Sequence, residues 1–152
     1  MQHPDCLACQ TLAGQVTVPG GTIAENEWWL ADHCVSAYGV GAVVVKSKQH
    51  RENLWDLSSA ESASLGPFLQ QISQAISEAL GAERVYVGLW VDQPPYHVHF
   101  VVQPRYPGKA ELGLKGLELQ VFRSLGKPPS ATEMAEAAGK LKQYLQSQQP
   151  QT

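Results

Sequence analysis

The sequence has no basic surplus. Eleven Lys and Arg stand against fourteen Asp and Glu, a formal charge of -3, so nothing in this balance marks a nucleic-acid partner. No run of like charge marks a membrane surface, and no apolar run reaches transmembrane length. The first residues are polar and lack the hydrophobic stretch of a signal peptide. Cysteine is scarce and odd in number, three in 152 residues, which fits a reducing compartment better than a disulfide framework. There is no internal repeat, and the one low-complexity piece is the Gln/Ser-rich tail after Leu145. These absences leave a soluble, cytoplasmic chain with one domain over 1–146 and a frayed tail over 147–152. Its length is enough for a core without staples.

What is present alternates between strand and helix patterns. Thr22–Glu25 and Trp28–Asp32 read as short strands around the polar turn Glu25-Asn26-Glu27. Val40–Lys46, rich in β-branched residues, reads as a buried strand. Ser58-Ser59-Ala60-Glu61 has capping-box spacing, so a helix starts there and runs to a stop at Gly81. Leu65, Phe68, Leu69, Ile72, Ile76 and Leu80 form its apolar stripe, with Leu69 and Ile72 as core, and Pro67 predicts a kink or a late first turn. Arg84–Trp90 and His97–Val102 pair as adjacent antiparallel strands. Glycines and prolines interrupt 107–129, which reads as a long, partly ordered loop. Ser130-Ala131-Thr132-Glu133 then caps a final helix that carries Met134, Ala138, Leu141 and Leu145.

Two pieces carry chemistry. Cys6-Leu7-Ala8-Cys9 can be a redox pair, half a zinc site or a coincidence. Almost no chain precedes it to supply the first strand of a thioredoxin-like site, so half a zinc site is the better reading, with two further ligands required. In Tyr96–Pro104, alternation puts Val98, Phe100 and Val102 on a core face and His97, His99, Val101 and Gln103 on the other. The two imidazoles then lie roughly 6–7 Å apart along the strand, as a site or as a surface accident.

Taken together, the chain resembles the histidine-triad (HIT) superfamily. That family's signature strand is H-φ-H-φ-H-φ-φ, often followed by Pro-Arg. This chain has His97-Val98-His99-Phe100-Val101-Val102-Gln103-Pro104-Arg105, with two of the three histidines and the Pro-Arg. Gly41–His50 resembles the family's G-H-x-L-V-x-P-K-x-H, and the N-terminal C-x-x-C also recurs in many members. The resemblance covers about Cys6 to Arg105. It implies an α+β fold: an antiparallel sheet of about five strands, one long helix and a C-terminal helix, paired across a two-fold axis as a homodimer.

The resemblance also implies a site. Cys6, Cys9, His50 and His97 match the family's structural zinc ligands, a set that tetrahedral Zn2+ accepts. His99 matches the nucleophile that attacks the α-phosphate of a nucleotide and forms a covalent nucleotidyl-imidazole. Neutral imidazole is abundant at pH 7, and attack requires an acceptor to hold the other ring N–H. On the substrate side stand Asp32, near the family's ribose-binding acid, Gln93 in the loop before the triad strand, and Gln103 on the face of His99. Two departures matter. The third histidine is Val101, which donates no hydrogen bond, although a related branch, the galactose-1-phosphate uridylyltransferases, has glutamine there. The phosphate-holding loop reads Asp92-Gln93-Pro94-Pro95, and proline has no N–H. The expected activity is hydrolysis or transfer of a nucleoside monophosphate group through His99. The rival is a zinc-stabilised scaffold that binds a nucleotide or protein partner without turnover. A third reading, His97 and His99 on one catalytic metal, lacks a carboxylate placed by motif.

Overall fold

The computed structural model describes residues 2–150. Its fold is α+β, built on a five-stranded antiparallel sheet of order β1-β2-β3-β5-β4. The strands are β1 (Thr22–Glu25), β2 (Trp29–His33), β3 (Val43–Ser47), β4 (Arg84–Gly88) and β5 (His99–Arg105). Four helices accompany them: α1 (Leu7–Leu12), α2 (Ser59–Leu80), α3 (Gly116–Ser124) and α4 (Ala131–Ser147). No described helix is long and apolar enough to cross a membrane.

Both capping boxes form as the spacing predicts. Ser58 accepts from the Glu61 N–H while Glu61 takes the Ser58 N–H, and Ser130 with Glu133 repeats the exchange at α4. Glu61 is fully buried and also accepts from Arg51 at 3.1 Å, which ties the segment after β3 to the start of α2. Helix α2 runs through Pro67 and ends at Gly81, whose φ of +74° provides the left-handed cap. Its inward face is Phe68, Ile72, Ala75 and Ile76, packed with Ala138, Leu141 and Leu145 of α4 against Trp29, Val43, Val45, Phe100 and Val102 of the sheet. Ile72 is core as expected, whereas Leu69 is only half-buried at the rim of that cluster. Ile72→Ala should therefore cost about 2–5 kcal/mol. Denaturant unfolding checks this, and a loss below about 1 kcal/mol would contradict the packing.

Three boundaries differ from the sequence reading. Strand β3 begins at Val43 because Gly41 turns with φ +87°, and a Cβ there would lie within 2.6 Å of Leu80 and Tyr106. The segment 107–129 is not wholly loop. Leu117–Leu125 contains neither Gly nor Pro, and α3 forms through most of it, burying Leu119 and Arg123. The Arg123 guanidinium pairs with both Glu111 oxygens at 2.7 Å and donates to the Tyr38 carbonyl. Helix α4 includes Ser147, the first residue of the expected tail, and 151–152 lie outside the described residues.

Register positions the site. In the β3–β5 pair, Val43 lies opposite Val102 and Val45 opposite Phe100, all facing the core. On the other side of the sheet Val44 lies opposite Val101 and Lys46 opposite His99. Leu7, Ala8 and Thr11 of α1 line a cavity over that second face.

Candidate functional site

Helix α1 is only six residues long, with Cys6 as its N-cap and Cys9 as its third residue, so the C-x-x-C does open a helix, without a strand before it among the described residues. His97 lies just ahead of β5 rather than within it. Val98 still donates to the Arg51 carbonyl and accepts from the Ser47 N–H, so the chain stays pinned beside β3. Four side chains from these segments converge. The donor atoms of Cys6, Cys9, His50 and His97 all lie within 4.8 Å of one another.

The spacing fits a metal. Cys6 Sγ lies 3.4 Å and Cys9 Sγ 3.6 Å from His97 Nδ1, and Cys9 Sγ lies 3.3 Å from His50 Nδ1. The two Nδ1 atoms are 3.2 Å apart. With zinc bond lengths of about 2.3 Å to sulfur and about 2.0 Å to nitrogen, tetrahedral edges are about 3.5 Å for S–N and about 3.3 Å for N–N. The observed separations match these edges. His97 Nε2 donates to the Ser47 carbonyl at 2.7 Å, which leaves Nδ1 as the lone-pair nitrogen facing the cluster. Among the described residues His50 Nε2 is buried without a hydrogen-bond partner, and His3, absent from the sequence-derived set, stacks on the His50 ring at 5.5 Å. The four residues form a Cys2His2 centre suited to a structural zinc ion.

Burial, with the His50 and His99 charges adding to it against the Ser47 hydrogen bond, lowers the His97 pKa from 6.5 to about 4. His33 is lowered too, by burial. A folded value below the unfolded one means the fold holds the neutral ring. The His97 contribution is complete above about 6.5 and is lost as pH falls toward 4, on the order of 3 kcal/mol. Metal-free protein should show this as a falling denaturant midpoint on acidification, and a flat midpoint would refute it.

His99 belongs to a different site. It lines a cavity of about 240 Å³ with Asp32, His33, Tyr38, Lys46, Val101 and the α1 residues Leu7, Ala8 and Thr11. His99 Nδ1 donates to the His97 carbonyl at 2.7 Å, the acceptor that attack would require, and Nε2 is left as the free ring nitrogen. His99 is not part of the four-residue metal cluster. Val101 is a buried apolar wall of the same cavity.

The remaining sequence-derived residues divide. Asp32 lines the cavity, buried, and pairs with Lys46 Nζ at 2.8 Å. Burial raises its pKa and outweighs the opposing Lys46 charge. Gln103 is buried but does not reach the cavity, and its amide donates to Gln120 of α3 at 2.6 Å. Gln93 is exposed in the loop before β5 and does not line the cavity either. Asp92 of that loop borders a separate surface concavity of about 400 Å³ with Trp55, Trp90 and Tyr96. Lys46 and Thr11 were missed. The available signal was a lysine closing an otherwise apolar strand, Val43-Val44-Val45-Lys46.

A scan against protein-family models and a search of curated proteins return no match. Solved structures do match over nearly the whole chain. A Zn-bound histidine triad family protein from Mycobacterium smegmatis aligns at TM-score 0.71 and 21% identity, covering 95% of this chain and 98% of its own. A Hit-like protein involved in cell-cycle regulation from Bartonella henselae aligns at 0.73 and 18%, covering 93% and 96%. A hypothetical histidine triad nucleotide-binding protein from Sulfolobus tokodaii aligns at 0.74 and 17%, covering 93% of both. With the sheet order, the metal cluster and the His-x-His segment in place, the chain carries the fold of the histidine-triad superfamily.

Proposed function

We propose that this protein binds a nucleotide in the His99 cavity and hydrolyses or transfers its nucleoside monophosphate group through a covalent intermediate on His99. The observation that carries the reading is the His99 Nδ1–H bond to the His97 carbonyl, on a cavity wall. It fixes the ring as the tautomer with a lone pair on Nε2. The name of the Sulfolobus tokodaii neighbour, a nucleotide-binding protein, supports the ligand class.

The Nε2 lone pair forms a bond to the α-phosphorus. The bond from phosphorus to the leaving oxygen or nitrogen breaks, and its electron pair departs with the leaving group, which takes a proton from water. Water then forms the new P–O bond, the P–N bond breaks, its electrons return to Nε2, and the water proton passes to solvent. In a transfer, an acceptor hydroxyl or phosphate replaces that water. Asp32, on the cavity wall, is the candidate acceptor for ribose hydroxyls. A zinc ion held by Cys6, Cys9, His50 and His97 would supply structure, not chemistry. The free side of β4, at the sheet edge, is the surface on which a second copy would pair to give the homodimer.

Val101, together with Pro94 and Pro95, favours a second reading, a scaffold that binds the nucleotide without turnover, since none of the three side chains or proline nitrogens donates a hydrogen bond. Rapid quenching with labelled adenosine phosphoramidate, a dinucleoside polyphosphate and a nucleotide sugar separates the two. An adduct mapped to His99 is the expected result. Binding with no adduct moves the assignment to the scaffold, and neither binding nor adduct overturns both.

A further inference from the structure

We propose that Lys46 is the phosphate-binding residue of the His99 cavity, supplying from β3 the charge and hydrogen bond that Val101 cannot supply from β5. The proposal rests on the nucleotide reading above and narrows it to ligands that carry a phosphate beside His99.

Register makes the first argument. Lys46 is the Cα partner of His99, so the two side chains leave the same face of the sheet at neighbouring positions. Next along that face, Val44 lies opposite Val101. The β3–β5 part of the cavity floor is therefore two valines, the His99 imidazole and one ammonium, with Asp32 and His33 of β2 beside them. Lys46 is the only Lys or Arg among the described residues that line it. A phosphate diester or anhydride at His99 Nε2 would otherwise meet no positive charge on this wall.

The ammonium is already aimed and held. Nζ donates to Asp32 Oδ2 at 2.8 Å and to Thr11 Oγ1 at 2.9 Å. An ammonium has three N–H groups, so these two contacts leave one for a ligand. Strand order then settles how Asp32 and an anion can share the cavity. Asp32 stands on β2, Lys46 on β3 and His99 on β5, so the strand that carries the lysine lies between those that carry the carboxylate and the imidazole. A phosphate seated at His99 meets the lysine before it meets the aspartate.

Structural need accounts poorly for the pair. Lys46 is 4% exposed and Asp32 5% exposed, and a buried ion pair is weak as a stabilising device, because desolvation offsets most of the attraction. Apolar residues in place of both would fill the same space at lower cost. Beside a cavity, the same pair is a pre-oriented charge, which is what phosphate recognition uses.

The test compares AMP with adenosine by equilibrium titration of the parent, Lys46→Met and Lys46→Arg, each checked for folding by circular dichroism. The parent should bind AMP about 10- to 100-fold more tightly than adenosine, the range of one or two charge-assisted hydrogen bonds. Lys46→Met should lose that preference, Lys46→Arg should restore it, and added salt should weaken AMP binding in the parent and in Lys46→Arg but not in Lys46→Met. If Lys46→Met strands Asp32 and fails to fold, Lys46→Met/Asp32→Asn removes both charges. The AMP-to-adenosine ratio still reads the phosphate, because a lost ribose contact cancels in it. A preference that survives without Lys46 overturns this proposal and leaves the nucleotide reading standing, as does equal binding of AMP and adenosine by the parent. A parent that binds neither overturns the nucleotide reading and this proposal with it.

Discussion

His99→Ala should abolish turnover of adenosine phosphoramidate, dinucleoside polyphosphates and nucleotide sugars alike, and with it any covalent adduct. The reason is chemical, since methyl has no lone pair and no other imidazole lines the cavity except His33. Both nitrogens of His33 are engaged, Nδ1 at the Cys34 carbonyl and Nε2 at the Gly41 N–H, so it cannot substitute. The fold should survive, because one lost hydrogen bond to the His97 carbonyl costs about 1 kcal/mol. Steady-state assays on matched, folded protein check the result, and a rate within about tenfold of the parent would rule out His99 as nucleophile. The companion change works in the opposite direction. Val101 sits one repeat along the same face, and Val101→His would add a proton donor there. A positioned donor contributes on the order of 10²–10⁴-fold, the gain expected if the valine limits the rate. The prolines at 94 and 95 are no part of the cavity lining, so the gain depends on Lys46 to hold the phosphate.

The second large effect concerns metal. Freshly purified protein should contain about one zinc per chain, and Cys6→Ser or His50→Ala should lower metal content and melting temperature together. Structural zinc contributes about 10–16 kcal/mol of binding free energy in small domains. Losing only about 5 kcal/mol of this would lower Tm by about 10–20 °C in a chain of this size. Ligand binding should fall in parallel. The two cysteines anchor α1, and α1 contributes Leu7, Ala8 and Thr11 to the His99 cavity, with the Thr11 hydroxyl accepting from Lys46. Cys34→Ser should leave metal content unchanged, since Cys34 is outside the cluster. Elemental analysis and thermal melts decide it. Protein without metal, with Cys6→Ser as stable as the parent, would refute the centre.

The contrast between local and distant information runs through each of these residues. The two capping boxes, the α2 stripe through Phe68, Ile72 and Ile76, and the inward face of Val98, Phe100 and Val102 were legible because each depends on a fixed spacing along one element. Helix α3 was not, because the glycines and prolines around Leu117–Leu125 obscured a short segment whose helix is held by distant partners, Glu111 and Tyr38 through Arg123. Gln103 shows the same limit. Its place on that strand face was legible, but at its position α3 lies against the face, so its amide meets Gln120 away from the His99 cavity.

The sequence by itself determined the candidate zinc ligands and the candidate nucleophile, through the C-x-x-C, the His50 turn and the His-x-His segment, once their resemblance to one family was seen. Only the tertiary structure decided how His97 and His99, two residues apart, are turned to two different places. The first is turned to the cysteines by Ser47, and the second is turned to the cavity by the carbonyl of the first. Only it could set Lys46 opposite His99 and against Asp32, because strand register and burial depend on pairings between segments that spacing along a single strand does not encode.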